Sequence, residues 1–151
     1  MKAWIHTNLI LEDGILWDGA ILWENDRIVA LGSMDDIKIP EETEVLDAQG
    51  LYTAPGLIDI HNHGGPDFLF HEDPVHCAEF FLMHGQTTVL PTFYCNLTLQ
   101  QMLDGLRKIK NAARQGAGRS IGGIYMEGPY MNGTGSNQKY ILWDGAIKQE
   151  E

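Results

Sequence analysis

Between Leu57 and Glu127 the sequence alternates short apolar runs with helix-forming stretches, and this alternation constrains the fold more than any other feature. Leu57-Ile58-Asp59-Ile60 is a short apolar strand that stops in His61-Asn62-His63-Gly64-Gly65. Asp73 and Pro74 supply an N-cap and a first-turn proline for a helix that runs through VHCAEFFLMH to Gly85. Thr87 to Leu90 is β-branched and apolar, a second strand ending at Pro91. Thr98 and Gln101 then form a capping box. Behind it Leu99, Met102, Leu103, Leu106, Ile109 and Ala113 recur at helical spacing until Gly116 and Gly118 stop the helix. A third run, Ile121 to Met126, breaks at Glu127-Gly128-Pro129. Strand, helix, strand, helix, strand at these spacings predicts right-handed βαβ units and a parallel sheet.

The first third of the chain has a different grammar. Short β-type runs (WIHTNLIL, ILW, AILWE, RIVALG) are separated by Glu12-Asp13-Gly14, Asp18-Gly19 and Asn25-Asp26, which predicts a small antiparallel sheet of hairpins. Residues 33–44 are polar and interrupted by Pro40, hence a connector with at most one helical turn. A chain of 151 residues is too short for a complete eight-unit barrel, which needs roughly 250. With 10 basic and 21 acidic side chains, a net charge of −11, neither nucleic acid nor an anionic membrane surface is a fitting partner. Two cysteines, Cys77 and Cys95, and an N-terminus that meets Glu12 and Asp13 before any long apolar run fit neither a disulfide scaffold nor a signal peptide. The expectation is a soluble, cytoplasmic protein with no membrane span.

Chemistry concentrates at the strand ends. Residues two apart on a strand point to one side, so Asp59, His61 and His63 share a face at the C-terminal end, where α/β proteins place their sites. Two imidazoles at this spacing can hold a divalent ion, and Glu127, ending the third strand as the pair ends the first, completes a His-His-carboxylate set with an open position for water or substrate. The plain alternative is a solvated histidine pair and a loop carboxylate. Gly64 and Gly65, which let the backbone turn sharply or approach a ligand, count against it. Asp59 lies one strand repeat deeper and reads as a packing or supporting group. His6, His71, His76 and His84 read as solvated or capping, Cys77 as an inert buried thiol, Cys95 as a thiol near the presumed site without catalytic partners, and the tryptophans as packing. Imidazole and carboxylate suit zinc, with iron and manganese as alternatives.

The stretch Leu46-Asp47-Ala48-Gln49-Gly50, followed by Ala54-Pro55-Gly56-Leu57-Ile58-Asp59-Ile60-His61-Asn62-His63-Gly64, resembles the metal-binding signature of the amidohydrolase superfamily. Within it, His84 to Thr92 (HGQTTVLPT) and Gly123 to Asn132 (GIYMEGPYMN) are similar to the family of N-acetylglucosamine-6-phosphate deacetylases. The resemblance implies an α/β fold: strands of a small β-sandwich over residues 1–53, then about three βα units of a metal-dependent hydrolase (β/α)8 barrel over 54–151. It implies His61, His63 and Glu127 as metal ligands, and Ser136 and Asn137 as substrate contacts, although Gly133-Thr134-Gly135 departs from the family's usual loop. The implied activity is deacetylation of an amino-sugar phosphate, a small-molecule substrate, by a parent of which this chain is an incomplete N-terminal part; separately, an open three-stranded edge with an uncovered apolar helix face predicts association, with a homo-oligomer as the expected state. The family's catalytic aspartate, which passes a proton to the departing amine, lies on later strands and has no counterpart here. Other readings are a dihydroorotase-like or deaminase-like amidohydrolase, or a non-catalytic metal-binding or assembly module.

Overall fold

The hairpin grammar of the N-terminal segment folds as one sheet. In the computed structural model, which describes residues 1–94 and 96–128, β1 (Lys2–Leu11), β2 (Gly14–Glu24) and β3 (Arg27–Ser33) form an antiparallel meander. Glu12-Asp13 and Asn25-Asp26 make its turns, the second with Asn25 in the left-handed region at φ 55°. Two further strands, β4 (Glu44–Asp47) and β5 (Tyr52–Thr53), add to β1 in parallel, so the sheet is mixed and not purely antiparallel as the hairpin signals predict.

Asp18-Gly19 is not a turn. β2 runs through it, and the signal read as a hairpin marks a kink in two facing strands. His6 on β1 and Asp18 on β2 both have positive φ, 51° and 48°, where the β1–β2 register slips on either side of Thr7. Their side chains meet across the irregularity, Nδ1 to Oδ1 at 2.7 Å. The buried face gathers Ala3, Ala20 and Leu22, packed by Ile5, Ala30, Met34, Ile37 and Ile39. The connector after β3 therefore folds back over this face with its apolar residues inward. It does so as a turn, with no helix: the Met34 N–H donates to the Asp18 carbonyl and the Ile37 N–H to that of Ser33.

The chain divides into two units, Met1–Pro55 and Gly56–Glu151. In the second, β6 (Leu57–Asn62), α1 (Pro74–Met83), β7 (Gln86–Phe93), α2 (Leu99–Ala112) and β8 (Tyr125–Met126) follow the predicted alternation. The three strands are parallel in the order β6-β7-β8. Asp73 caps α1 by accepting from the His76 N–H, and Thr98 with Gln101 closes the reciprocal box that opens α2. The apolar faces of both helices enclose Phe70, Cys77, Val89, Phe93, Leu97, Met102 and Ile109. Each large side chain buried there contributes about 1.5–3 kcal/mol relative to exposure.

Two strand boundaries differ from the sequence reading. β7 does not end at Pro91 but continues to Phe93, with Pro91 opposite Asn62 in a slip of the β6–β7 register. Proline has no N–H to give a ladder, and beside it the Thr92 hydroxyl makes a side-chain link between the strands: its Oγ1 accepts from the Asn62 N–H of β6 at 2.9 Å and donates to the Leu90 carbonyl of its own strand at 3.1 Å. The third run is also shorter than Ile121–Met126. Ile121 makes a single bridge to Val89, and paired strand resumes only at Tyr125 and Met126. Among the described residues no helix is long and apolar enough to cross a membrane.

Candidate metal centre

Strand alternation sorts the residues at the end of β6. Asn62 turns inward and is buried, whereas His61 and His63 lie on the other side of the pleat. Asn62 acts as a brace: its amide nitrogen donates to Asp59 Oδ2 at 2.7 Å and its Oδ1 accepts from the Gly64 N–H at 3.0 Å. Asp59 Oδ1 accepts from the His61 N–H at 3.1 Å, so this carboxylate supports the backbone beneath the histidines and does not join them. Gly64 makes the turn that follows, at φ +151°. A Cβ there would lie 2.3 Å from the Phe68 carbonyl oxygen, because the loop returns on itself and the Phe70 N–H donates to the His63 carbonyl. Gly65 has no such requirement, its nearest neighbour being the Phe80 ring at an ordinary 3.5 Å.

Glu127 arrives from the other side of the sheet. Its N–H donates to the Phe93 carbonyl at 3.0 Å, which fixes the residue immediately after β8 beside the end of β7. The three side chains then converge: His61 Nε2 and His63 Nε2 are 3.3 Å apart, and each is 3.2 Å from Glu127 Oε2. Four ligands at the usual zinc–nitrogen and zinc–oxygen lengths of about 2.0–2.2 Å stand roughly 3.3 Å from one another, so the three atoms have the spacing of one face of a tetrahedral site. The donor set fits as well, being two imidazoles and one carboxylate. His63 is also oriented from behind: its Nδ1 lies 3.1 Å from the Thr92 carbonyl oxygen. A carbonyl only accepts, which puts the proton on Nδ1 and leaves the Nε2 lone pair toward His61 and Glu127. Tyr94 packs edge-on against His63 and Tyr125 is tilted over His61, at ring separations of 4.9 and 5.1 Å.

Thus the structure brings together His61, His63 and Glu127. Ser136, Asn137 and Cys95 lie outside the described residues. Cys77 is buried, its thiol donating to the Phe68 carbonyl at 3.2 Å, and burial pushes its pKa up, away from a reactive thiolate. His76 and His84 serve helix ends: His76 Nδ1 lies 2.6 Å from Asp73 Oδ2, and His84 Nδ1 lies 2.7 Å from the Phe80 carbonyl oxygen. His71 differs from the reading as a solvated loop residue. It is half-buried beside Phe93 and, with His63, Leu69, Thr92, Tyr94 and Asn96, lines a cavity of about 320 Å³. Tyr94, Asn96 and Tyr125 carry no motif that sequence inspection could find. His71 left one trace, a glycine at position 105 within the otherwise well-formed α2.

These features define a class of site, two imidazoles and one carboxylate converging at the ends of parallel strands, and the comparisons with known proteins say what the chain resembles. No family model matches the chain. A dihydroorotase of Lactococcus lactis is 43% identical over 56 residues, 37% of this chain and 12% of that protein. An adenine deaminase of Desulfotalea psychrophila is 50% identical over 56 residues, 37% of this chain and 9% of the other. The particular likeness is structural. The crystal structure of N-acetylglucosamine-6-phosphate deacetylase from Pasteurella multocida matches with a TM-score of 0.73 at 26% identity, covering 99% of this chain and 40% of that one. The chain therefore has the α/β fold of the N-terminal portion of that deacetylase, resembles amidohydrolase-superfamily hydrolases in sequence, and spans about two-fifths of the deacetylase's length.

Proposed function

We propose that the protein in which this chain acts hydrolyses the N-acetyl group of N-acetylglucosamine 6-phosphate, giving glucosamine 6-phosphate and acetate, with a zinc ion held by His61, His63 and Glu127. The observation that carries the reading is the convergence of both Nε2 atoms on one Glu127 oxygen at 3.2 Å, in a chain whose fold follows a deacetylase over 99% of its length. A divalent ion in such a set supplies an electrophile for the amide carbonyl and a water acidic enough to ionise near neutral pH. The protein's own part is positional. Thr92 and the Asn62 brace hold the two imidazoles in place, and the Phe93–Glu127 backbone bond sets the third ligand. Hydrolysis adds water across the acetamide C–N bond, so the departing amine needs a proton. Glu127 is committed to the ligand set and Asp59 to the backbone, so we assign that proton to neither.

A dihydroorotase or a deaminase is the second reading, favoured by identities of 43% and 50% over 56 residues each. The reactions separate cleanly. Protein of the full encoded length, loaded with zinc, is supplied in parallel with N-acetylglucosamine 6-phosphate, dihydroorotate and adenine, and the release of acetate, carbamoyl aspartate and ammonia is followed. Acetate release that Glu127→Gln abolishes supports the deacetylase. Turnover of either other substrate, with no acetate released, refutes it.

A further inference from the structure

Resting on the reading of this site as a deacetylase centre, we infer that the cavity lined by His63, Leu69, His71, Thr92, Tyr94 and Asn96 is a subsite for the uncharged, hydroxyl-bearing part of the substrate, with His71 as its specificity-determining residue. The cavity measures about 320 Å³, within the range of small-ligand pockets, and shares a wall with the metal centre through His63. Its polar lining is neutral in type. Imidazole, hydroxyl and carboxamide groups line it, with no Lys or Arg among the described lining residues, so a phosphate would find no cation there, whereas sugar hydroxyls and an acetamide would find donors and acceptors.

His71 is placed for this part by an arrangement that costs the fold something. The loop carrying it is tied down at both ends: the Phe70 N–H donates to the His63 carbonyl, and Lys108 Nζ donates to the Glu72 carbonyl at 3.1 Å. Phe70 itself is almost completely buried. Behind the imidazole, α2 carries Gly105, where a Cβ would stand 2.8 Å from His71 Cβ and 2.8 Å from Phe93 Cε1. Glycine disfavours a helix interior, yet any larger residue would displace His71. The ring nitrogens of this half-buried side chain make no hydrogen bond to another described residue, so both remain available to a ligand that enters the cavity. Burial also lowers the His71 pKa, keeping the ring neutral with one donor and one acceptor, which matches a hydroxyl group.

The test is binding, read on the histidine itself. Zinc-loaded protein with 15N-labelled histidine is titrated with N-acetylglucosamine and, separately, with inorganic phosphate. The expected result is a saturable shift of the His71 ring resonances with the sugar and none with phosphate. The His71→Leu variant should weaken sugar binding about three- to tenfold, the worth of one neutral hydrogen bond, and His71→Asn should restore part of it. A His71 shift with phosphate alone, or with neither probe, or equal sugar affinity in His71→Leu, overturns the inference. Histidine shifts that confirm the subsite in a protein that releases no acetate from N-acetylglucosamine 6-phosphate would locate the failure in the deacetylase reading. In turnover, the variant raises KM and leaves kcat within about twofold, because a group that grips substrate and transition state equally acts on binding alone.

Discussion

Thr92 shows how much one side chain can hold in place. Its hydroxyl accepts the Asn62 N–H where the β6–β7 register slips at Pro91, and its carbonyl orients His63. Thr92→Val keeps the shape and the carbonyl but strands the buried Asn62 N–H. Chemical denaturation should show a loss of about 1–3 kcal/mol, and a loss under about 0.5 kcal/mol would mean that the hydroxyl does not carry this bond. The Asp73–His76 pair makes a second prediction at this scale. Bonding to Asp73 raises the His76 pKa, and bonding to His76 lowers that of Asp73. The sign follows for each group. The His76 contribution is present below its unfolded-state pKa and is lost as pH rises through the raised folded value. The Asp73 contribution is present above its unfolded-state pKa and is lost as pH falls through the depressed one. The cap is therefore firmest in the mildly acidic range between the two. In an NMR titration Asp73→Asn should return the His76 pKa toward 6.5 while α1 stays capped, since asparagine caps as well as aspartate. An unchanged His76 pKa would show the carboxylate to be irrelevant to it.

At the scale of elements, sequence legibility tracks how local the determining contacts are. α2 was readable because its capping box, apolar stripe and stop all lie within some twenty residues. The path of β2 through Asp18-Gly19 was not, because the kink depends on His6 lying opposite, twelve residues away in sequence. The same holds for β4 and β5, whose parallel pairing with β1 no local pattern announces, and for the continuation of β7 past Pro91, where the Thr92 hydroxyl accepts the Asn62 N–H of the neighbouring strand. In the candidate site, His61, His63 and Glu127 were legible because each ends a strand, whereas His71 reaches its place through a loop and a helix glycine. Gly105→Ala tests that glycine directly. Helix propensity alone would make the change stabilising by up to about 1 kcal/mol, whereas the 2.8 Å approaches to Phe93 and His71 predict net destabilisation of about 1–2 kcal/mol in thermal or denaturant unfolding. A stabilised variant would show that His71 and Phe93 give way easily.

At the scale of the whole molecule, the three-stranded sheet exposes Leu57, Ile58 and Ile60 on β6 at 62%, 69% and 65%, an edge strand of a kind that proteins ordinarily cover. The 151-residue chain is accordingly expected to associate as its concentration rises. Size-exclusion chromatography at two concentrations checks this, and an unchanged monomer elution would argue against it. The site is less dependent on that surface, because all three of its ligands lie within residues 61–127 and are set by bonds inside the second unit. Calorimetric titration of the metal-free chain with zinc shows whether those three side chains hold one divalent ion. One ion per chain is expected, with affinity falling more than about a hundredfold in both His63→Ala and Glu127→Gln, since each removes a donor atom outright. Zinc binding in Glu127→Gln equal to that of the unaltered chain would contradict it.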